Sequence, residues 1–190
     1  MTDAQPTVPT VPTTPKASTV EEQPYFPVSR QKLVVMSVTT LSMYQIYWFY
    51  KNYERVNARV GGGGSPFWRA IAAPITAHGL FASVRADAQS RFIAVNWSSA
   101  GLAVIYFGTT LICFFDYPWW TLALGSVFAL LPVHATMEAV NRKVAPKGER
   151  NDEFSAANAA WIVVGIALTI LGLYVTRLAQ QFVEQLLEQL

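Results

Sequence analysis

Three consecutive pieces of the chain decide the fold: SSAGLAVIYFGTTLICFF (98–115), DYP (116–118) and WWTLALGSVFALLPVHATMEA (119–139). The outer two approach the roughly 20 mostly apolar residues that a bilayer-crossing helix needs. Only Asp116-Tyr117-Pro118 separates them, so they read as a tight antiparallel helical hairpin. Pro118 ends one helix, because a proline nitrogen cannot donate into the helical ladder. Trp119 and Trp120 then anchor the next helix at the depth where amphipathic aromatic rings sit.

Working outward, two more stretches read as spans. Residues 33–50 end in the aromatic cluster Tyr44, Tyr47, Trp48, Phe49 and Tyr50 beside Lys51, an interfacial belt, although Ser37, Thr39, Thr40, Ser42 and Gln45 lie within the run. Residues 157–175 are apolar apart from Asn158 and Thr169. Between the first two spans, residues 66–84 hold Phe67, Trp68, Ile75 and Phe81 but also Arg69, Pro74, Thr76 and His78. A central Arg costs roughly 2.5–3.5 kcal/mol on insertion, so this stretch reads as an interfacial or re-entrant helix rather than a fifth span.

After the last span, Val175, Leu178, Phe182, Val183, Leu186, Leu187 and Leu190 recur at spacings of three and four, with Gln and Glu between them. That is one apolar stripe on a helix. Its acidic polar face suits docking on protein rather than on anionic lipid, which prefers Lys and Arg. The expectation is therefore an all-α integral membrane bundle. It has a Thr/Pro-rich disordered tail over 1–28, a membrane domain over 29–176 with about four transmembrane helices, and an amphipathic C-terminal helix over 177–190.

Composition agrees. Of 190 residues, 52% are hydrophobic but only 14% charged, against about 25% charged in soluble domains. A net charge of +2 without a basic stripe argues against nucleic acid as a partner. Lone Cys113 excludes an intrachain disulfide and any multi-cysteine metal site. The expected partners are the lipid bilayer and a second copy or another membrane protein, in a plasma (inner) membrane.

Loop charge bears on orientation. Lys51, Arg55, Arg59, Arg69, Arg85 and Arg91 lie between the first two spans, and Arg142, Lys143, Lys147 and Arg150 between the last two, while the hairpin tip has none. Both basic loops are therefore expected in the cytoplasm and the tip outside. With four spans the amino end lies outside, against the pull of Arg30 and Lys32. A crossing by 66–84 moves it inside but exports Lys51–Arg59. A first segment that enters and returns without crossing would satisfy every charge.

The blocks Tyr25-Phe26-Pro27-Val28-Ser29, Tyr47-Trp48-Phe49-Tyr50-Lys51-Asn52, Ser65-Pro66-Phe67-Trp68-Arg69-Ala70 and Val140-Asn141-Arg142, with Asn151, Phe154, Asn158 and Gly165, carry a resemblance. The chain resembles a group of uncharacterised bacterial multi-pass membrane proteins that share a domain of unknown function. The resemblance implies a membrane protein and carries no activity. Gly61-Gly62-Gly63-Gly64-Ser65 departs from the polar linker usual in that group and reads as a flexible hinge.

Candidate chemistry is sparse. His134 and Glu138, four apart on one helix face, can present two metal ligands or a proton relay, with His78 as the nearest candidate for a third group and Arg69 as another intramembrane polar group. The plainer reading pairs Glu138 with Arg142 at headgroup level. Asn141, Arg142, Asn151, Asp152 and Asn158 can hold a phosphate or lipid headgroup, or simply cap helices, with Ser155 or Asp152 capping the last span. Gly125 with Ala129, and Gly165 with Thr169, permit close helix approach. No hydrolase elbow, phosphate loop or His-Glu-x-x-His is present, so no catalytic residue, cofactor or metal site is assigned. The leading expectation is a non-enzymatic structural or accessory protein; the rival is a small transporter or channel lined by Ser37, Thr40, Gln45, His134 and Glu138.

Overall fold

The first expected span is broken. Helix α1 (Arg30–Thr39) starts at Ser29, whose hydroxyl accepts the Lys32 N–H, and stops at Thr40-Leu41-Ser42. Leu41 and Ser42 there take φ of 51° and 66°, a left-handed turn that ordinary residues seldom adopt. The turn is held locally. Thr40 Oγ1 donates to the Met36 carbonyl at 2.6 Å and accepts the Tyr44 N–H at 3.0 Å. Helix α2 (Met43–Val60) then carries the aromatic cluster and, beyond it, Lys51, Glu54, Arg55 and Arg59.

The computed structural model describes residues 22–115 and 118–189. The expected disordered tail lies outside the described residues as far as residue 21, as do hairpin-tip residues Asp116 and Tyr117 and the last leucine. Among the described residues the chain is all-helical. α3 (Pro66–Ile71) and α4 (Ala73–Ser90) occupy the stretch read as interfacial or re-entrant. α5 (Ser99–Leu111) runs into a 3₁₀ turn at Ile112–Phe114. A second 3₁₀ segment, Trp119–Ser126, leads into α6 (Val127–Val144), and α7 (Ala156–Glu188) closes the chain.

Two helices are long and apolar enough to cross a membrane: Trp119–Val144, 26 residues, and Ala156–Glu188, 33 residues. That is fewer than the four expected. The break at Thr40–Ser42 divides the first expected span into a 10-residue helix and one whose second half is charged. The second, Ser99–Phe114, is apolar but short. It packs against the Trp119–Ser126 segment and α6, as the hairpin requires.

The core gathers around Phe49 of α2, whose ring centroid lies 5.1 Å from Trp48, 5.3 Å from Tyr106 and 6.2 Å from Phe81. Such pairs add about 0.5–1.5 kcal/mol each beyond the area they bury. α4 turns Ala73, Ala77, Leu80, Phe81, Val84 and Ala88 inward, and these spacings of three and four trace one helical face. α4 is therefore a core helix under α5 and α6, whereas α3 leaves Phe67, Trp68 and Ile71 exposed. Arg69 of α3 and His78 of α4 stay at the edge, half-buried and exposed respectively.

The Gly61–Ser65 stretch is a closed turn rather than a free hinge. Gly61 caps α2 at φ 73° and Gly63 stands at φ 121°, conformations open to glycine. Asn57 Nδ2 bonds the Gly64 carbonyl at 2.7 Å, and Arg69 Nη1 bonds that of Gly63 at 3.0 Å.

α7 differs from everything before it. Ser155 and Asn158 form its capping box, so Ser155 fills the role anticipated for it. Only 6% of the helix's most apolar window is buried, and its main packing partner is α1. Contact is made at Gly165, the one buried residue of the helix. A Cβ there would collide with the Thr39 carbonyl and stand 2.8 Å from Thr40 Cα. Gly125 is no such contact, since only Phe128 lies near its open side, at 3.8 Å.

Candidate functional site

The densest polar arrangement lies at the end of the bundle where the chain enters it. Residues 24–28, expected within the disordered tail, form an extended strap with Tyr25 and Val28 buried. Burial of Tyr25 offsets the entropy of ordering so short a segment, and the Tyr25 N–H and carbonyl are both paired. Asn141 of α6 reads Tyr25 on both sides: Oδ1 accepts its N–H and Nδ2 donates to its carbonyl, each at 2.9 Å. Asn52 of α2 accepts the Phe26 N–H at 3.1 Å. Arg55 Nη1 reaches the carbonyls of Gln23 and Tyr25 at 2.9 and 2.7 Å. His134 meets the Val28 carbonyl through Nε2 at 2.7 Å.

An ionic knot holds the Tyr25 ring. Its hydroxyl donates to Asp87 Oδ2 at 3.0 Å, as does Arg59 at 3.1 Å, while Arg91 bonds Oδ1 of the same carboxylate at 2.8 Å. The Arg59 guanidinium lies 4.8 Å above the Tyr25 ring. Burial pushes the Tyr25 hydroxyl up to about 12. Burial also works to raise Asp87, but the hydrogen bonds from Arg91, Arg59 and Tyr25 outweigh it and hold that carboxyl below its ordinary range.

The strap borders a cleft of about 410 Å³ against α6, into which His134, Glu138, Asn141 and Arg142 project. His134, 3% exposed, is committed to the strap. Glu138 is half exposed and 3.7 Å from Arg142, the geometry of a weak surface pair. Arg69 lies 4.0 Å over the Tyr53 ring, and His78 is exposed on α4; neither takes part in the strap. Among the described residues no three His, Cys, Asp or Glu side chains gather closely enough for a metal ion.

Of the polar residues placed on a transport path, Gln45 and Thr40 are engaged inside the bundle. Gln45 Nε2 donates to Ser126 Oγ at 3.0 Å, and Thr40 serves the α1–α2 turn. Ser37 is buried without a hydrogen-bond partner for its hydroxyl. Sequence reasoning missed Asn52, Arg55 and Asp87 as strap-holding groups, and Lys32 as the tie between α1 and the loop before α7. Lys32 donates to Asn151 Oδ1 at 2.8 Å and to the Glu153 carbonyl at 2.6 Å. The available signal was the block Tyr25–Ser29 itself, an aromatic-rich segment at the end of a Thr/Pro tail. Comparison with protein-family models, with curated proteins and with solved structures gives no match.

Proposed function

We propose that this chain is a multi-pass protein of a plasma (inner) membrane, non-enzymatic, with a structural or accessory role exercised by binding another protein or a second copy. The observation that carries the reading is α7. It is 33 residues long with mean hydropathy 2.1 in its most apolar window, and it leaves Trp161, Val163, Leu168, Ile170, Leu171 and Tyr174 exposed. A helix apolar on all sides and bare of protein needs lipid around it. At about 1.5 Å per residue it reaches about 50 Å, beyond the roughly 30 Å hydrocarbon core. The remainder carries the stripe Leu178, Phe182 and Leu186 into water, where lipid no longer covers it and a protein partner can.

Passes by α5, by Trp119–Val144 and by α7 account for the apolar helices. The strap and Lys32 bond Arg55, Asp87, Asn141, Asn151 and Glu153, so the amino-terminal segment shares one end of the bundle with both basic loops. That supports an α1–α2 pair which enters and returns without crossing. Arg30 and Lys32 then join the other cations in the cytoplasm, and the tip and carboxyl end lie outside.

The test is purification of the full chain in mild detergent with size and partner analysis, beside flux assays in proteoliposomes. The expected result is a homo-oligomer or defined partner that Phe182→Glu with Leu186→Glu removes, and no flux. A clean monomer that conducts solute would overturn it in favour of the transporter.

A further inference from the structure

Two clefts open side by side where α1, α2 and the start of α7 meet, sharing Tyr44, Tyr47, Ser155 and Asn158. One, about 390 Å³, is polar and includes Lys32 and Asn151. The other, about 550 Å³, is apolar and is walled by Met36, Met43, Ile46, Phe67 and Trp161. Met43, Phe67 and Trp161 are each more than half exposed, so the apolar cleft is open along its side.

Lys32 sets the chemistry. It is 4% exposed, yet its ammonium meets only neutral acceptors, Asn151 Oδ1 and the Glu153 carbonyl, with the Phe154 ring at 5.8 Å. An ammonium has three donors, and two are used. Asp152 and the rim residue Glu153 act on it only from beyond ion-pair distance. A buried cation lacking a contact anion carries a desolvation cost of several kcal/mol, which an incoming anion relieves. The polar cleft is thus cationic at its floor and the adjoining cleft accepts hydrocarbon, a combination that matches an amphiphile with an anionic head.

We propose that this pair of clefts binds one anionic phospholipid, its phosphate on Lys32 and Asn151 and one acyl chain along Met43, Phe67 and Trp161. The inference rests on the membrane reading of α7, which sets Trp161 within the bilayer and Lys32 at headgroup depth. It adds a defined lipid to that reading.

The test uses the full chain in detergent, titrated with phosphatidylglycerol, with phosphatidylcholine and with inorganic phosphate, and followed by native mass spectrometry. One phosphatidylglycerol per chain should bind at least about tenfold more tightly than phosphatidylcholine. Lys32→Gln should abolish that preference, while Met43→Trp, a change at an exposed position that fills the apolar cleft, should weaken both lipids. Equal binding of the two lipids, a preference that survives Lys32→Gln, or displacement of lipid by millimolar inorganic phosphate would overturn the proposal. A chain that stays monodisperse without detergent would instead overturn the membrane reading itself.

Discussion

Two regions of this protein are rich in apolar residues and use them in opposite ways. In α2 and α4, Trp48, Phe49, Tyr53, Phe81 and Val84 are wholly buried against other helices, and the polar residues among them are paired or lie at the edge. In α7 the apolar residues outnumber the polar ones on every side over 156–175, yet almost none is covered. The same hydrophobic effect thus acts on two solvents, protein interior in one region and, on the proposed reading, lipid in the other. Hydropathy already parts them, since α2 is charged over its second half while α7 reaches a mean hydropathy of 2.1. Packing agrees, because neighbouring helices present complementary faces to α2 and α4 and only α1 touches α7 closely.

The sharpest way to break the comparison is the same substitution in both regions. Trp48→Ala should cost about 3–5 kcal/mol, as for other buried aromatics cut to alanine, whereas Trp161→Ala in detergent should cost under about 1 kcal/mol, as at exposed positions. Thermal unfolding in a single detergent checks both. Equal costs would mean that α7 is packed in solution as α2 is.

Next in size is the seam joining the regions. Gly165→Ala drives a methyl group into the Thr39 backbone, which has no rotamer through which to yield. The loss should be about 3 kcal/mol, the upper end of overpacking effects. It should loosen α7 from α1, read as faster proteolysis near residues 150–156, while Gly125→Ala should be nearly silent.

The strap has its own pH signature. Tyr25 is packed in its neutral form with its hydroxyl at about 12, above the ordinary value of about 10. Its contribution is therefore complete below about pH 10 and is lost as the pH rises toward 12, an effect on the order of 2–3 kcal/mol. Asp87 acts with the opposite sign. Held below its ordinary range, it stabilises above about pH 4 and that support falls away as the pH drops further. Tyr25→Phe should shrink the alkaline limb and Asp87→Asn the acid one, both read by fluorescence-detected unfolding. Smallest of all, Glu138→Gln should shift stability by under about 0.5 kcal/mol, since its pair with Arg142 is solvent-exposed.

Much of this was legible in the chain. Pro118 between two apolar runs gave the hairpin, and the periodicity after Val175 gave an amphipathic end to a long final helix. Pro74, Arg69 and His78 disqualified 66–84 as a span. That its larger part, α4, is a core helix was hidden, because the inward face of Ala73, Ala77 and Ala88 shows only once neighbours pack against it. The α1–α2 break was hidden for a different reason. Thr40-Leu41-Ser42 contains neither Gly nor Pro, and the left-handed turn is stabilised by the Thr40 hydroxyl and by packing of α7 at Gly165, a contact distant in sequence. The strap was invisible to periodicity because it is extended and bound through its backbone, so Arg55 read as a loop cation and Asn141 as a headgroup contact or helix cap.

The central claim, that α7 crosses the bilayer while the α1–α2 pair does not, is tested most directly by single-cysteine labelling in intact cells. The background is Cys113→Ser, and the reporters stand at positions 31, 89, 117, 147 and 185. The account predicts that 31, 89 and 147 are shielded on the cytoplasmic side and that 117 and 185 react from outside. Labelling of 31 from outside, or of 147 and 185 from the same side, would contradict it.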